Sequence, residues 1–267
     1  GQYYNMLVAI NGVNVTLVVD NKDVFNHTYE ARVIDGYAYG LNYGYVGVGS
    51  DQSRGTFDNV RVQVLPPQTT FENTEDFGDG VADLFTGDTS GTWTLSKGRY
   101  SVDPDGSTGM SLLDLGPDRL NFNSFLELKA QVNTEGRAGF VFDRYGEESF
   151  KFVAIDATTN QLIIGHYTDK RGWAEDETIS TDIDAGRDYT LGITLKGSTV
   201  SAALEPQRGN GGHQAIIGHA FNASTVDGRF GLLALDGASF DDVLVKTDDP
   251  AFLPDDEALT AAMPVHG

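Results

Sequence analysis

The sequence predicts an all-β fold, an antiparallel two-sheet sandwich, and three observations lead there. Glycine is abundant at 32 residues and aromatic residues make up 10% of the chain. Apolar and polar residues alternate in short runs, the side-chain period of a half-buried strand. Sustained helical periodicity is scarce, so many short strands joined by tight turns account for the pattern.

Composition narrows the function classes. The 267 residues suffice for one large or two modest domains. A formal net charge of -21 repels the phosphate backbone, which removes nucleic acid as a partner. So acidic a surface suits a calcium-rich or saline exterior, although plain solubility would also account for it. With no cysteine, disulfides, thiolate catalysis and zinc-thiolate sites are excluded, and oxygen-ligated calcium becomes the available staple for a secreted β protein. No stretch approaches the roughly 18 uninterrupted apolar residues of a membrane helix, so no membrane insertion is expected. The opening Gly-Gln-Tyr-Tyr lacks a basic region followed by an apolar signal segment, and the chain is expected to begin inside a larger precursor.

Taken in order, the elements contain a repeat. Residues 6–17 read as two strands around Asn11-Gly12, a strong hairpin signal, and residues 190–204 read the same way around Lys196-Gly197. Val24-Phe25-Asn26-His27 then matches Ile216-Ile217-Gly218-His219. Gly47-Val48-Gly49 with Phe57-Asp58-Asn59-Val60 matches Gly231-Leu232-Leu233 with Phe240-Asp241-Asp242-Val243. The second copy is preceded by a long strand-like stretch from Phe71 onward; the first has no counterpart of it. Residues 1–64 are therefore expected to be the C-terminal half of a repeat. Residues 65–70, around Pro66-Pro67, form a stiff linker because proline fixes its own backbone and restrains the residue before it. Residues 71–248 form the complete copy, and 249–267 an acidic, proline-bearing tail with one short helical stretch near 256–262. Within the complete copy, strands are predicted at 93–96, 99–102, 111–115, 125–132, 137–142, 150–156, 161–167, 179–181, 188–195, 200–205, 214–220, 228–235 and 241–246. So many short strands with turns between them imply a sandwich.

The run Asp76-Phe77-Gly78-Asp79-Gly80, then Gly91-Thr92-Trp93-Thr94, Gly98-Arg99-Tyr100 and the closing Phe240-Asp241-Asp242-Val243, resembles the concanavalin A-like or laminin G-like jelly rolls of bacterial surface proteins and large RTX-type adhesins. The resemblance spans the complete copy and the last part of the half copy. It implies an antiparallel two-sheet jelly-roll sandwich with a structural calcium ion tying first strand to last. On that resemblance the ligands are Glu72, Asp76, Asp79 and Asp241, with Asp58 in the half copy; the alternative is a solvated acidic turn.

Glycan binding calls for an aromatic face against the apolar face of a sugar, flanked by planar polar groups that bond hydroxyls. The candidates are Arg144 with Tyr145, His166 with Tyr167, and Trp173 in the polar run after Arg171-Gly172. Trp173 either stacks on ligand or packs as a lid on the sandwich edge. Trp93, in an alternating strand, reads as core, and the Tyr/Gly run at 36–45 as a strand with one aromatic face buried.

Enzymatic readings lack an inventory. Five histidines without a nucleophile elbow give no acyl-transfer set, and Glu175-Asp176-Glu177 departs from the Glu-x-Asp-x-x-Glu pattern of glucanases that share the resembled fold. His27 and His219, at equivalent places, read as a shared structural feature. Asn14, Asn26 and Asn222 open glycosylation-acceptor triplets, a short pattern that arises by chance.

The expectation is a calcium-stabilised extracellular binding module of a large bacterial adhesin or surface protein that contacts carbohydrate, with a ligand-free spacer or assembly module as the alternative and a glycoside hydrolase-related domain as a minor one. The half copy would expose sheet edges and an apolar face, to be covered by neighbouring modules of the same protein or by strand exchange with another chain.

Overall fold

The computed structural model describes residues 3–30, 32–34, 37–39, 41, 46–62, 69–106, 108–116, 120–147, 149–206 and 213–252. The expected linker centred on Pro66-Pro67, most of the Tyr/Gly run and the tail helix near 256–262 lie outside the described residues. Two compact units divide between Pro67 and Gln68.

The N-terminal unit carries β1 (Met6–Asn11), β2 (Asn14–Val19) and β3 (Lys22–Thr28) in one antiparallel sheet, and β4 (Arg32–Ile34) paired with β5 (Tyr37–Tyr39). The β1–β2 turn uses Gly12 at φ 59°, a conformation that costs glycine little and other residues more. Residues 46–62, expected to repeat the closing strands of the second copy, form no strand here.

The C-terminal unit is a jelly-roll sandwich. Its strands are β6 (Phe71–Glu75), β7 (Thr89–Ser90), β8 (Thr92–Ser96), β9 (Arg99–Asp103), β10 (Gly109–Leu112), β11 (Phe125–Thr134), β12 (Arg137–Gly146), β13 (Ser149–Asp156), β14 (Gln161–Thr168), β15 (Gly172–Ser180), β16 (Asp188–Lys196), β17 (Thr199–Pro206), β18 (Ala215–Ala220), β19 (Arg229–Ala234) and β20 (Ala238–Thr247). A seven-stranded sheet runs β15-β14-β13-β12-β19-β10-β7. An eight-stranded sheet runs β18-β17-β16-β11-β20-β9-β8, with β6 added on β20. All of these pairings are antiparallel, and β20 meets β11 on one edge and both β9 and β6 on the other. Three of these strands depart from expectation: β6 and β7 are too short and polar to alternate legibly, and β15 begins at Gly172, which places Trp173 in a strand and not in a loop.

Alternation fills the space between the sheets. Leu126, Leu128, Ala130 and Val132 of β11 with Leu191, Ile193 and Leu195 of β16 pack toward Phe140 and Phe142 of β12, Val153 and Ile155 of β13, and Leu162 and Ile164 of β14. Burying one such aliphatic or aromatic side chain contributes about 1.5–3 kcal/mol. Trp93 packs at the rim of this core, its ring 4.5 Å from Tyr100 and 6.0 Å from Phe240, with Nε1 donating to the Ser90 carbonyl.

Phe240 is fully buried near the start of β20 beside Trp93. Phe240→Ala is expected to cost about 3–5 kcal/mol, read by denaturant unfolding followed through tryptophan fluorescence; a loss below about 1 kcal/mol would contradict this core.

Candidate functional site

The seven-stranded sheet buries residues on both faces. Residues at alternate positions to the core set, Val141, Phe150, Phe152, Ala154, Ile163 and Leu233 with Met110 and Leu112, form a second apolar cluster on the outer face, and Tyr167, Trp173 and Leu235 pack against it. Strand register explains the grouping. Phe150 pairs with Tyr167, and Tyr167 with Trp173, so three neighbouring strands set three aromatic rings in one row about 4.8 Å apart from strand to strand.

The rings meet at centroid distances of 5.0 Å for Phe150–Tyr167, 5.4 Å for Phe150–Trp173, 5.1 Å for Phe152–Trp173 and 5.3 Å for Tyr167–Trp173. The Trp173 contacts with Phe150 and Phe152 are edge-on, the geometry that ring quadrupoles favour. Phe152 reaches across its strand because residue 165 is glycine: a Cβ there would stand 2.6 Å from the Phe152 ring. Phe150 and Phe152 are buried floor, while Tyr167 and Trp173 are half-buried above them. Neither phenylalanine was singled out from sequence, where each reads as an ordinary alternating strand position.

Arg144 and Tyr145 join the same end of the sheet through a bulge in β12. Val141 pairs with Gly231 and Arg144 with Arg229, which leaves an extra residue in β12, and Asp143 takes φ 50° there. Tyr145 is 66% exposed. Arg144 Nε, Asp143 Oδ1, Thr168 Oγ1 and Asp227 Oδ1 are buried without a hydrogen-bond partner among the described residues. Such atoms are uncommon in folded proteins, and all four belong to segments that meet at this end: Arg144 pairs with Arg229, Ser149 with Thr168, and Thr168 with Gly172.

His166 is turned away from this row. It alternates with Tyr167 onto the opposite face, where its Nδ1 lies 2.7 Å from Asp176 Oδ2. Asp176 reaches it because β15 bulges between Glu175 and Glu177. Beside them Lys151 pairs with Asp143 and donates to the Ser224 carbonyl at 3.1 Å under the Phe221 ring. Burial pushes the Lys151 ammonium below its ordinary value, against the pull of Asp227 and Asp176. Glu175 stays on the outer face and takes Arg137 at 2.6 Å, with Asp156 on the same guanidinium at 3.0 Å. Burial alone would raise the Asp156 carboxyl, yet hydrogen bonds from Thr158, Thr159 and Arg137 hold it below the ordinary value. Glu175 and Asp176 are thus divided between two faces, one held by Arg137 and the other against His166.

Of the residues expected to hold calcium, Asp76 and Asp241 lie near enough to repel each other, while Glu72 stands apart from them. Glu72 sits opposite Lys246, at 3.7 Å from its ammonium, about 17 Å along β20 from Asp241 at the antiparallel rise per residue. Asp76 and Asp79 each accept the backbone N–H two residues on, at 2.9 Å, and Asp58 belongs to the N-terminal unit. Among the described residues no group of three or more His, Cys, Asp or Glu is arranged to hold a metal. Two positions carry the organisation instead. Glu75, buried and missed from sequence, accepts from Phe77 N at 3.0 Å and Asp83 N at 2.8 Å, and so shapes the loop that inserts Phe77 into the core. Arg99 supplies a cation in the closing strands, 3.4 Å from Asp188 and 3.7 Å from Asp241 while donating to Ser239.

Asp241 carries the corresponding pH signature. Burial raises its carboxyl, the Asp242 N–H opposes this, Asp242 and Asp76 add repulsion, and Arg99 lowers it. A raised carboxyl pKa means that the folded state takes up a proton before the unfolded chain does, so this site costs stability at neutral pH and the cost fades as pH falls toward the ordinary value of about 3.9. Asp241→Asn is expected to raise the thermal midpoint at pH 7 and to give no gain below about pH 4. A lowered midpoint at pH 7 would contradict the assignment.

No family model matches the chain, and no curated protein matches it. Among solved structures, the chain is similar to the carbohydrate-binding module CBM66 from Bacillus subtilis, at 17% identity and a TM-score of 0.47 over 58% of this chain and 92% of that one. It is also similar to the winged bean acidic lectin complexed with methyl-α-D-galactose, at 12% identity and a TM-score of 0.48 over 67% of this chain and 98% of that one. A third is the exoplasmic/lumenal domain of VIP36 in its Ca2+/Man-bound form, at 14% identity and a TM-score of 0.45 over 66% of this chain and 89% of that one.

Proposed function

We propose that the C-terminal unit is an extracellular carbohydrate-binding module of a larger surface protein, with its ligand at the aromatic end of the seven-stranded sheet. The observation that carries this reading is the row of Tyr167 and Trp173, half-buried on a floor of Phe150 and Phe152, with Arg144 and the exposed Tyr145 on the adjoining strand β12. A rigid apolar platform held by its neighbours loses little conformational entropy when a sugar ring stacks on it. The Arg144 Nε, buried without a partner among the described residues, is suited to a hydroxyl group, since a buried donor gains most when a partner reaches it. An acidic, cysteine-free composition is compatible with an exterior rich in salt, where surface charge is screened.

This reading needs no calcium. Arg99 already neutralises charge at the closing strands, and the carboxylates there are spent on local turns and ion pairs.

A glycan array followed by calorimetric titration of the best binder tests the proposal. Tyr145→Ala is expected to weaken affinity about tenfold, equivalent to about 1.4 kcal/mol, at an unchanged thermal midpoint. Trp173→Ala is expected to abolish binding. An array without binders, or affinity unmoved by both variants, would overturn the reading.

A further inference from the structure

Two arginines extend the aromatic row. On β19 Phe230 and Leu232 face the core between the sheets while Leu233 joins the outer cluster, so the two-residue period puts Arg229 on the outer face. Arg144 stands directly opposite Arg229 in the β12–β19 ladder and therefore shares that face. The bulge in β12 makes this possible. Val141 pairs with Gly231 and Arg144 with Arg229, so Phe142 and Asp143 together oppose Phe230; by plain alternation Arg144 would follow Phe140 and Phe142 inward. On the next strand Phe150 lies in the gap that the bulge leaves in the β12–β13 ladder, between Lys151 opposite Phe142 and Ser149 opposite Gly146. Arg229, Arg144, Phe150, Tyr167 and Trp173 thus cross five adjacent strands on one face. Four strand spacings of about 4.8 Å make the row about 19 Å long.

The positive charges on this row are unmatched. Acidic residues outnumber basic ones 39 to 18, so an arginine elsewhere readily finds a carboxylate. Among the described arginines of the C-terminal unit, Arg99 pairs with Asp188, Arg137 with Asp156 and Arg187 with Asp184. The other three, Arg144, Arg171 and Arg229, form no ion pair with a described residue. All three lie at the aromatic end, Arg171 in the turn that leads into Trp173. Glu147 and Asp169 are exposed on turns at the same end and leave these arginines unpaired. Like charges directly opposite in an antiparallel ladder repel. Arg144 Nε is also buried without a hydrogen-bond partner among the described residues. A guanidinium presents its N–H groups as a planar fork that matches the oxygens of a carboxylate or similar oxyanion, so one anion across Arg144 and Arg229 would offset the repulsion and satisfy the buried donor.

We infer that the row takes an acidic saccharide, with its carboxylate or sulfate on Arg144 and Arg229 and its sugar rings along Tyr167 and Trp173. The inference rests on the carbohydrate reading above and names the ligand class of that same site. Aromatic stacking accepts the rings of neutral and acidic sugars alike, so the arginine pair supplies the selection. Charge-assisted bonds from a guanidinium are roughly twice as strong as neutral ones, and they are lost when the anion is esterified.

The test is calorimetric titration of the whole chain with oligosaccharides of galacturonate, mannuronate and glucuronate, each beside its methyl ester, and with a sulfated galactan oligosaccharide beside its desulfated form. At least one acidic oligosaccharide is expected to bind about tenfold tighter than its neutral counterpart. The two series tell carboxylate from sulfate. Arg229→Gln, at an exposed position, is expected to cut that preference about tenfold at an unchanged thermal midpoint, and Arg229→Lys to keep part of it because the charge remains while the fork is lost. Neutral forms that bind as tightly as the acids, or a preference that survives both Arg144→Gln and Arg229→Gln, would overturn the inference and leave the carbohydrate reading standing. Absence of binding by every acidic and neutral saccharide would overturn both.

Discussion

Pairing of β11 on both edges is the constraint from which the rest of the C-terminal unit follows. It joins β16 over residues 125–133 and β20 over 126–134, so it fuses the hairpin sheet of β16 to β18 with the closing strands. Its inward side chains Leu126, Leu128, Ala130 and Val132 are completely buried and set the spacing to the seven-stranded sheet. Remove that strand and both neighbours gain an open edge and an open face at once.

Sheet geometry also makes the candidate site. With the inner face of the seven-stranded sheet committed to the core, alternation sends Phe150, Phe152, Tyr167 and Trp173 outward, and pairing of β13, β14 and β15 brings them into one patch. Bulges in β12 and β15 then re-aim side chains. One brings Arg144 and Tyr145 toward the aromatic end; the other sends Asp176 to His166 on the opposite face. The polar groups expected as one cluster are thus shared between a ligand-facing surface and an internal network that includes Lys151 and Asp143.

The sandwich was legible in the sequence because two-residue periodicity and turns such as Asn11-Gly12 act locally. Strands β6 and β15 were not: Phe-Glu-Asn-Thr-Glu offers little apolar alternation, and the charges of Glu175, Asp176 and Glu177 mask a strand in which Glu175 pairs with Arg137 and Asp176 bulges toward His166. Trp173 and Tyr167 could be singled out as aromatics in polar surroundings, whereas Phe150 and Phe152 look like core until the face they occupy is known. The calcium ligands were named from a resemblance, and register was not legible there. Glu72 and Asp241 lie on paired strands, but which residues stand opposite is fixed by the β6–β20 pairing, and that pairing puts Lys246 beside Glu72. Arg99, the cation that meets Asp241, lies far from it in sequence.

Native-state hydrogen exchange on the whole chain tests most directly the claim that β11 holds the C-terminal unit closed. Amides of β16 and β20 that pair with β11 are expected to exchange only on global unfolding of that unit, while those of the end strands β8 and β18 exchange through local opening, at least a hundredfold faster. Equal protection in the two sets would contradict the account, because it would mean that pairing with β11 adds no protection.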